Sequence, residues 1–127
     1  MELNELLQAR KILANHVNDK VCATLAYKLM KFLKSSDNEE EFYLTKIREL
    51  IDKYGEKDGE GKPVHADNGN IKIEQSKVKE CENEIENLGK TDVAEPTIKF
   101  NLLELSELKL SAKEMFALDN FIIYNEE

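Results

Sequence analysis

Residues 2–34, ELNELLQARKILANHVNDKVCATLAYKLMKFLK, contain neither glycine nor proline. Along them apolar side chains recur in steps of three and four: Leu3, Leu6, Leu7, Leu13, Val17, Val21, Leu25, Leu29, Phe32 and Leu33. Such spacing predicts one amphipathic helix. At about 1.5 Å per residue it would be roughly 50 Å long. A core of this size needs less, so part of the stripe is expected to serve a partner. Lys28, Lys31 and Lys34 complement the negative end of the helix dipole.

Working outward, Ser35-Ser36-Asp37-Asn38 interrupts the pattern, and Ser36 with Glu39 has capping-box spacing. A second helix is expected over 38–54, with Tyr43, Ile47, Leu50, Ile51 and Tyr54 inward and Gly55 as its C-terminal cap. The short link would make residues 1–54 an αα-hairpin. Residues 55–74 change character. An acidic, glycine-bearing loop leads to Val64, the Asn68-Gly69 turn signal and alternating Ile71 and Ile73. Such a pattern predicts a β-hairpin of 62–66 with 70–74. Over 75–127 a helix capped by Ser76 carries Val78, Cys81, Ile85 and Leu88 and stops at Gly89. Residues 97–102 alternate as a strand. Ser111 with Glu114 opens a last helix bearing Met115, Phe116, Leu118, Phe121 and Ile122, followed by a short acidic tail. The expected fold is α+β and mainly helical. It has a long N-terminal αα-hairpin, a small antiparallel sheet joining the hairpin and the Ile98 strand, and two shorter helices, all in one domain of residues 1–127.

The chain of 127 residues has a net charge of −8. Residues 1–34 carry six Lys/Arg against three Asp/Glu, and residues 35–127 carry twelve against twenty-three. So acidic a body argues against duplex nucleic acid as a direct ligand, because phosphate binding rests on Lys and Arg. No basic-then-apolar leader opens the sequence, and no apolar run approaches the roughly 20 residues that span a bilayer. A cytoplasmic protein without membrane contact is expected. Cys22 and Cys81 have no second cysteine at ligand or redox spacing, and both read as reduced thiols on apolar faces.

Reaction machinery is not evident. His16 and His65 lack His or Cys neighbours at zinc spacing. His65 with Asp58 or Asp67 makes an acid–base pair only if the fold brings them together. An EF-hand frame starting at Glu56 places Asp58, Glu60, Gly61 and Asp67 suitably, but Pro63 occupies the eighth position and a hairpin replaces the second helix. Glycine-rich phosphate loops and nucleophile elbows do not occur. No catalytic residue, cofactor or metal is therefore expected.

Two surfaces suit protein partners. Lys20, Lys28 and Lys31 border the apolar stripe of the first helix, which would complement the acidic body of a second copy in a homo-oligomer. Glu80 and Glu84, with Glu39 and Glu40, form acidic rows of the kind that mimic a phosphate backbone on a basic protein.

The segments IRELIDKYGEKD at 47–58, GKPV at 61–64 and NGNIKI at 68–73, with EPTIKF at 95–100, LSELKLS at 105–111 and a final Phe/Leu-rich helix, resemble small proteins of phages and prophages of Gram-positive bacteria. Those proteins are known only as a phage domain of unknown function. The resemblance covers most of the chain and implies a phage origin and a bacterial host cytoplasm, with no catalytic residue carried over. The expected function is a non-catalytic phage accessory protein, an inhibitor or modulator of a host defence or nucleic-acid-processing complex. The alternatives are a virion morphogenesis or tail-assembly component, and an oligomeric protein sequestering a nucleotide signal, for which Arg48 and Tyr54 are candidates.

Overall fold

The computed structural model describes residues 1–124, so the acidic tail over 125–127 lies outside the described residues. The chain is mainly helical. In order it forms α1 (Leu3–Ala14), α2 (Ala23–Tyr54), a 3-10 turn (Gln75–Lys77), α3 (Val78–Gly89), β1 (Phe100–Asn101), α4 (Leu102–Ser106), α5 (Ala112–Ala117), a second 3-10 turn (Asp119–Phe121) and β2 (Ile122–Ile123). Contacts divide it into two compact units, Met1–Glu39 with Asp92–Glu127, and Glu40–Thr91.

A helix pair is present, but its turn is not at 35–38. The chain leaves α1 after Ala14, crosses residues 15–22 and then runs as helix for 32 residues. Asn15, His16, Asn18 and Asp19 explain the break, because short polar side chains compete with helical hydrogen bonding. His16 Nδ1 lies 2.7 Å from Asp19 Oδ2, and the Cys22 N–H donates to Glu107 Oε1 at 3.1 Å. The expected Ser36–Glu39 capping box does not form. The hydroxyls of Ser35 and Ser36 donate back to the Phe32 carbonyl at 2.8 and 2.9 Å, so both serines sit within the helix. Arg10 of α1 donates to the Leu33 carbonyl, to Ser36 Oγ at 2.9 Å and to Asp37 Oδ1 at 2.7 Å. Ser36 is fully buried and satisfied by this contact.

The first unit contains the main core. Leu6, Ala9 and Leu13 of α1 meet Leu25, Leu29 and Phe32 of α2, together with Phe100, Leu105, Leu108, Leu118, Phe121 and Ile122. Phe32 stands edge-on to Phe121 at 5.0 Å between ring centroids and lies 6.2 Å from Phe100. Such pairs add to the area that each ring buries.

The expected antiparallel sheet is corrected. The sheet is a parallel pair, with Phe100 opposite Ile122 and Asn101 opposite Ile123. A parallel pair needs a crossover, and α4 with α5 provides it. The last helix stops at Ala117, so Phe121 and Ile122 reach the core from a 3-10 turn and a strand. Leu102–Ser106 is helical because Asn101 and Glu104 form a capping box, with Glu104 N–H to Asn101 Oδ1 at 2.7 Å and Asn101 N–H to Glu104 Oε1 at 2.9 Å. The capping box of Ser111 and Glu114 opens α5 as expected. The Ser111 backbone amide, then its hydroxyl, hold the Glu114 carboxyl below its usual range.

In the second unit the expected hairpin pairs through isolated antiparallel bridges. His65 faces Ile71 and Gly55 faces Ile73, with Ala66 N–H to Asn70 O and Lys72 N–H to Val64 O at 2.8 Å. The Asn68-Gly69 turn is present, with Gly69 at φ 86°. Gly55 has a different role from the expected cap. A Cβ there would lie 2.7 Å from the Ile51 carbonyl oxygen and 2.9 Å from Ile71 Cγ2, so glycine lets the 71–73 segment approach α2. Ser76 falls inside the 3-10 turn, and α3 starts without a side-chain cap.

Phe32→Ala is expected to lower the unfolding free energy by about 3–5 kcal/mol, measured by urea denaturation; a loss below about 1 kcal/mol would contradict its central place. The pKa of Glu114 is lowered in the folded state, so its contribution is present above the unfolded value and fades as pH falls through the folded one. The stability gap between wild type and Glu114→Gln is therefore expected to close in acid, and a gap that widens there would refute the capping role.

Candidate functional site

The expected acidic and basic surfaces are partly consumed by internal pairing. On α3, Glu80 is exposed, while Glu84 one turn later is half-buried and lies 3.5 Å from Lys53 Nζ. The Glu84 carboxylate and burial push the Tyr54 hydroxyl up, and Tyr54, then Glu84, raise the Lys53 ammonium. Glu39 and Glu40 are half-buried, and Glu39 Oε2 is enclosed without a hydrogen-bond donor. Among the basic residues, Lys28 Nζ donates to the buried Glu104 Oε1 at 2.7 Å, and Lys31 Nζ sits 5.7 Å from the Tyr27 ring centre. Lys20 remains exposed. Lys28 and Glu84 therefore already have charged partners within the chain.

The stripe expected to join two copies is also corrected. Leu25, Leu29 and Phe32 are buried in the core of their own unit, because the break at 15–22 lets α1 pack there. Val17, Tyr27 and Met30 stay exposed. Cys22, read as an apolar-face residue, is exposed, whereas Cys81 is buried, as expected. Burial first, then Glu84 and Glu82, raise the Cys81 thiol. Asp58, a candidate calcium ligand by spacing, instead accepts the amides of Glu60 and Lys62 at 2.8 and 3.0 Å and closes its own loop. Among the described residues no cluster of three His, Cys, Asp or Glu side chains is placed to hold a metal ion, and no helix is long and apolar enough to cross a membrane.

Two features stand out on the molecule. In the first unit, Phe116 is 82% exposed and Leu103 is 78% exposed. Both lie on short helices opened by capping boxes, so their outward placement is set by the backbone. Phe116, Met115, Ala112 and Tyr124 line a shallow cleft of about 310 Å³ with Asp119 at its edge. Tyr124 Oη donates to Asp119, whose carboxylate pushes the phenol pKa up. In the second unit, Ile51, Ile71, Ile73 and Ile85 line a larger open cleft of about 640 Å³ with Cys81. Arg48 and Asn70 supply its polar lining.

Sequence reading missed both clefts as such. Arg48 was paired with Tyr54, but Tyr54 is buried and does not line the cleft. The available signal was Arg48 three residues before Ile51 on one helix, with alternating Ile71 and Ile73. No family model matches the chain, and neither a curated protein nor a solved structure is similar to it.

The two thiols should differ in reactivity. In the native protein a disulfide reagent such as DTNB is expected to modify Cys22 rapidly and Cys81 only after denaturation, because the thiolate is the nucleophile. Rapid release of two equivalents from the native protein would contradict the packing around Cys81.

Proposed function

We propose that this chain is a non-catalytic accessory protein of a phage or prophage that works by binding a protein. Its target is a host defence or nucleic-acid-processing complex in the bacterial cytoplasm. The observation that carries the binding reading is the outward placement of Phe116 and Leu103 on capped helices. Phe116 adjoins Met115, Ala112 and Tyr124 in one cleft, and a contiguous exposed apolar patch of this kind marks a surface that a partner covers. Aromatic anchors of this kind, beside a shallow cleft, dominate the energy of many interfaces.

The acidic surface has a supporting role. A net charge of −8 favours encounter with a basic partner. Glu80 is free to take part, while Glu84 would have to leave Lys53 to do so. The phage assignment rests on the resemblance of the turn and strand segments quoted above, and the host-complex assignment on the acidic charge.

A tagged chain would be expressed in infected bacteria and its bound proteins identified by mass spectrometry. Phe116→Asp with Leu103→Asp is expected to reduce capture of the partner at least about tenfold while leaving the thermal midpoint nearly unchanged. Reversal of Glu80 to Lys should produce a smaller loss that vanishes at high salt. Recovery of virion or tail proteins in place of host proteins would replace the inhibitor reading with an assembly role. Undiminished capture by the double variant would remove the apolar surface from the binding mechanism.

A further inference from the structure

The second unit has a cleft lined by its own residues alone. Arg48 and Ile51 are three apart on α2, Cys81 and Ile85 are four apart on α3, and Ile71 and Ile73 alternate along an extended segment. Each spacing puts its members on one face. Carboxylates are absent from the lining of the cleft, in a chain with twenty-six acidic residues. Arg48 is exposed and makes no hydrogen bond, ion pair or ring contact among the described residues. An unpaired guanidinium beside aliphatic walls selects an anion joined to an apolar body.

We propose that this cleft binds the C-terminal carboxylate of a peptide ending in a branched aliphatic residue. A single arginine with no second cation in the lining suits a carboxylate, which its planar fork holds with two parallel hydrogen bonds. A phosphate usually gathers more than one cation. Because Arg48 and Ile51 share one helix face, an anion on the guanidinium lies within one residue of a side chain seated against Ile51. In a peptide terminus the last side chain and the carboxylate have that separation. Asn70 supplies both a donor and an acceptor, matching the peptide group before the terminus. A fatty acid has no group to use it. The buried Cys81 side chain contributes apolar surface.

The test uses the full chain labelled with carbon-13 at the isoleucine δ1 methyl groups. The probes are the peptide Gly-Ser-Glu-Val-Leu with a free C-terminus, its C-terminal amide, and dodecanoate. The free peptide is expected to shift the methyls of Ile51, Ile71, Ile73 and Ile85 in a saturable way and to leave Ile98 and Ile122 in place. The amide, and separately Arg48→Gln, should each weaken binding at least about tenfold, with Arg48→Lys recovering part of the loss. Because Arg48 is exposed, both variants should retain the wild-type methyl spectrum without ligand. No shift up to millimolar peptide, equal binding of the amide, or shifts by dodecanoate alone would each overturn the proposal.

Discussion

The hold of Arg10 on α2 organises the first unit. Its guanidinium meets the Leu33 carbonyl, the Ser36 hydroxyl and the Asp37 carboxylate. A charged group half-withdrawn from water needs such partners, and supplying them fixes where α1 lies along α2. Ser36 is then buried without an unsatisfied hydroxyl, and the helix continues where its serines and asparagine would otherwise favour a turn. The leucines of α1 settle opposite Leu25, Leu29 and Phe32, and Phe32 reaches Phe100 and Phe121. The parallel pairing of β1 with β2 brings Phe100 and Ile122 side by side in the same core.

Much of this was legible along the chain. The apolar stripe of residues 3–33 correctly marked Leu3, Leu6, Leu13, Leu25, Leu29 and Phe32 as core. The Asn68-Gly69 turn, the stop of α3 at Gly89 and the Ser111–Glu114 box also stand where short-range chemistry put them. What failed depended on distant partners. The spacing of the stripe is the same whether the helix is continuous or folds back at 15–22. Short polar residues stand both at 15–19 and at 35–38, and the contacts of Arg10 with Ser36 and of Glu107 with the Cys22 amide, each between residues remote in sequence, favour a break at the first over the second. Alternation at residues 97–102 signals a strand but not the direction of its neighbour. That neighbour, Ile122–Ile123, also fitted a helical pattern begun at Met115.

The surfaces were harder to read for the same reason. A row of carboxylates in sequence does not reveal which of them meet a lysine, and Glu84 and Lys28 both spend their charge inside the molecule. Conversely, Phe116 and Leu103 are large apolar residues that the fold leaves in water. They are exposed because the caps at Asn101 and Ser111 fix two short helices, the first burying Leu105 on its other face and the second leading into the buried Leu118 that follows it. Helix caps, worth about 1 kcal/mol each, thus help determine which apolar residues the molecule offers to others.

Amide hydrogen exchange on the purified chain, alone and bound to its captured partner, locates the binding surface without substitution. Slowed exchange confined to residues 102–106 and 112–124 is the result expected if Leu103 and Phe116 anchor the partner. Protection restricted to α3, or to residues 15–22, with the α4 and α5 amides unchanged, would contradict it.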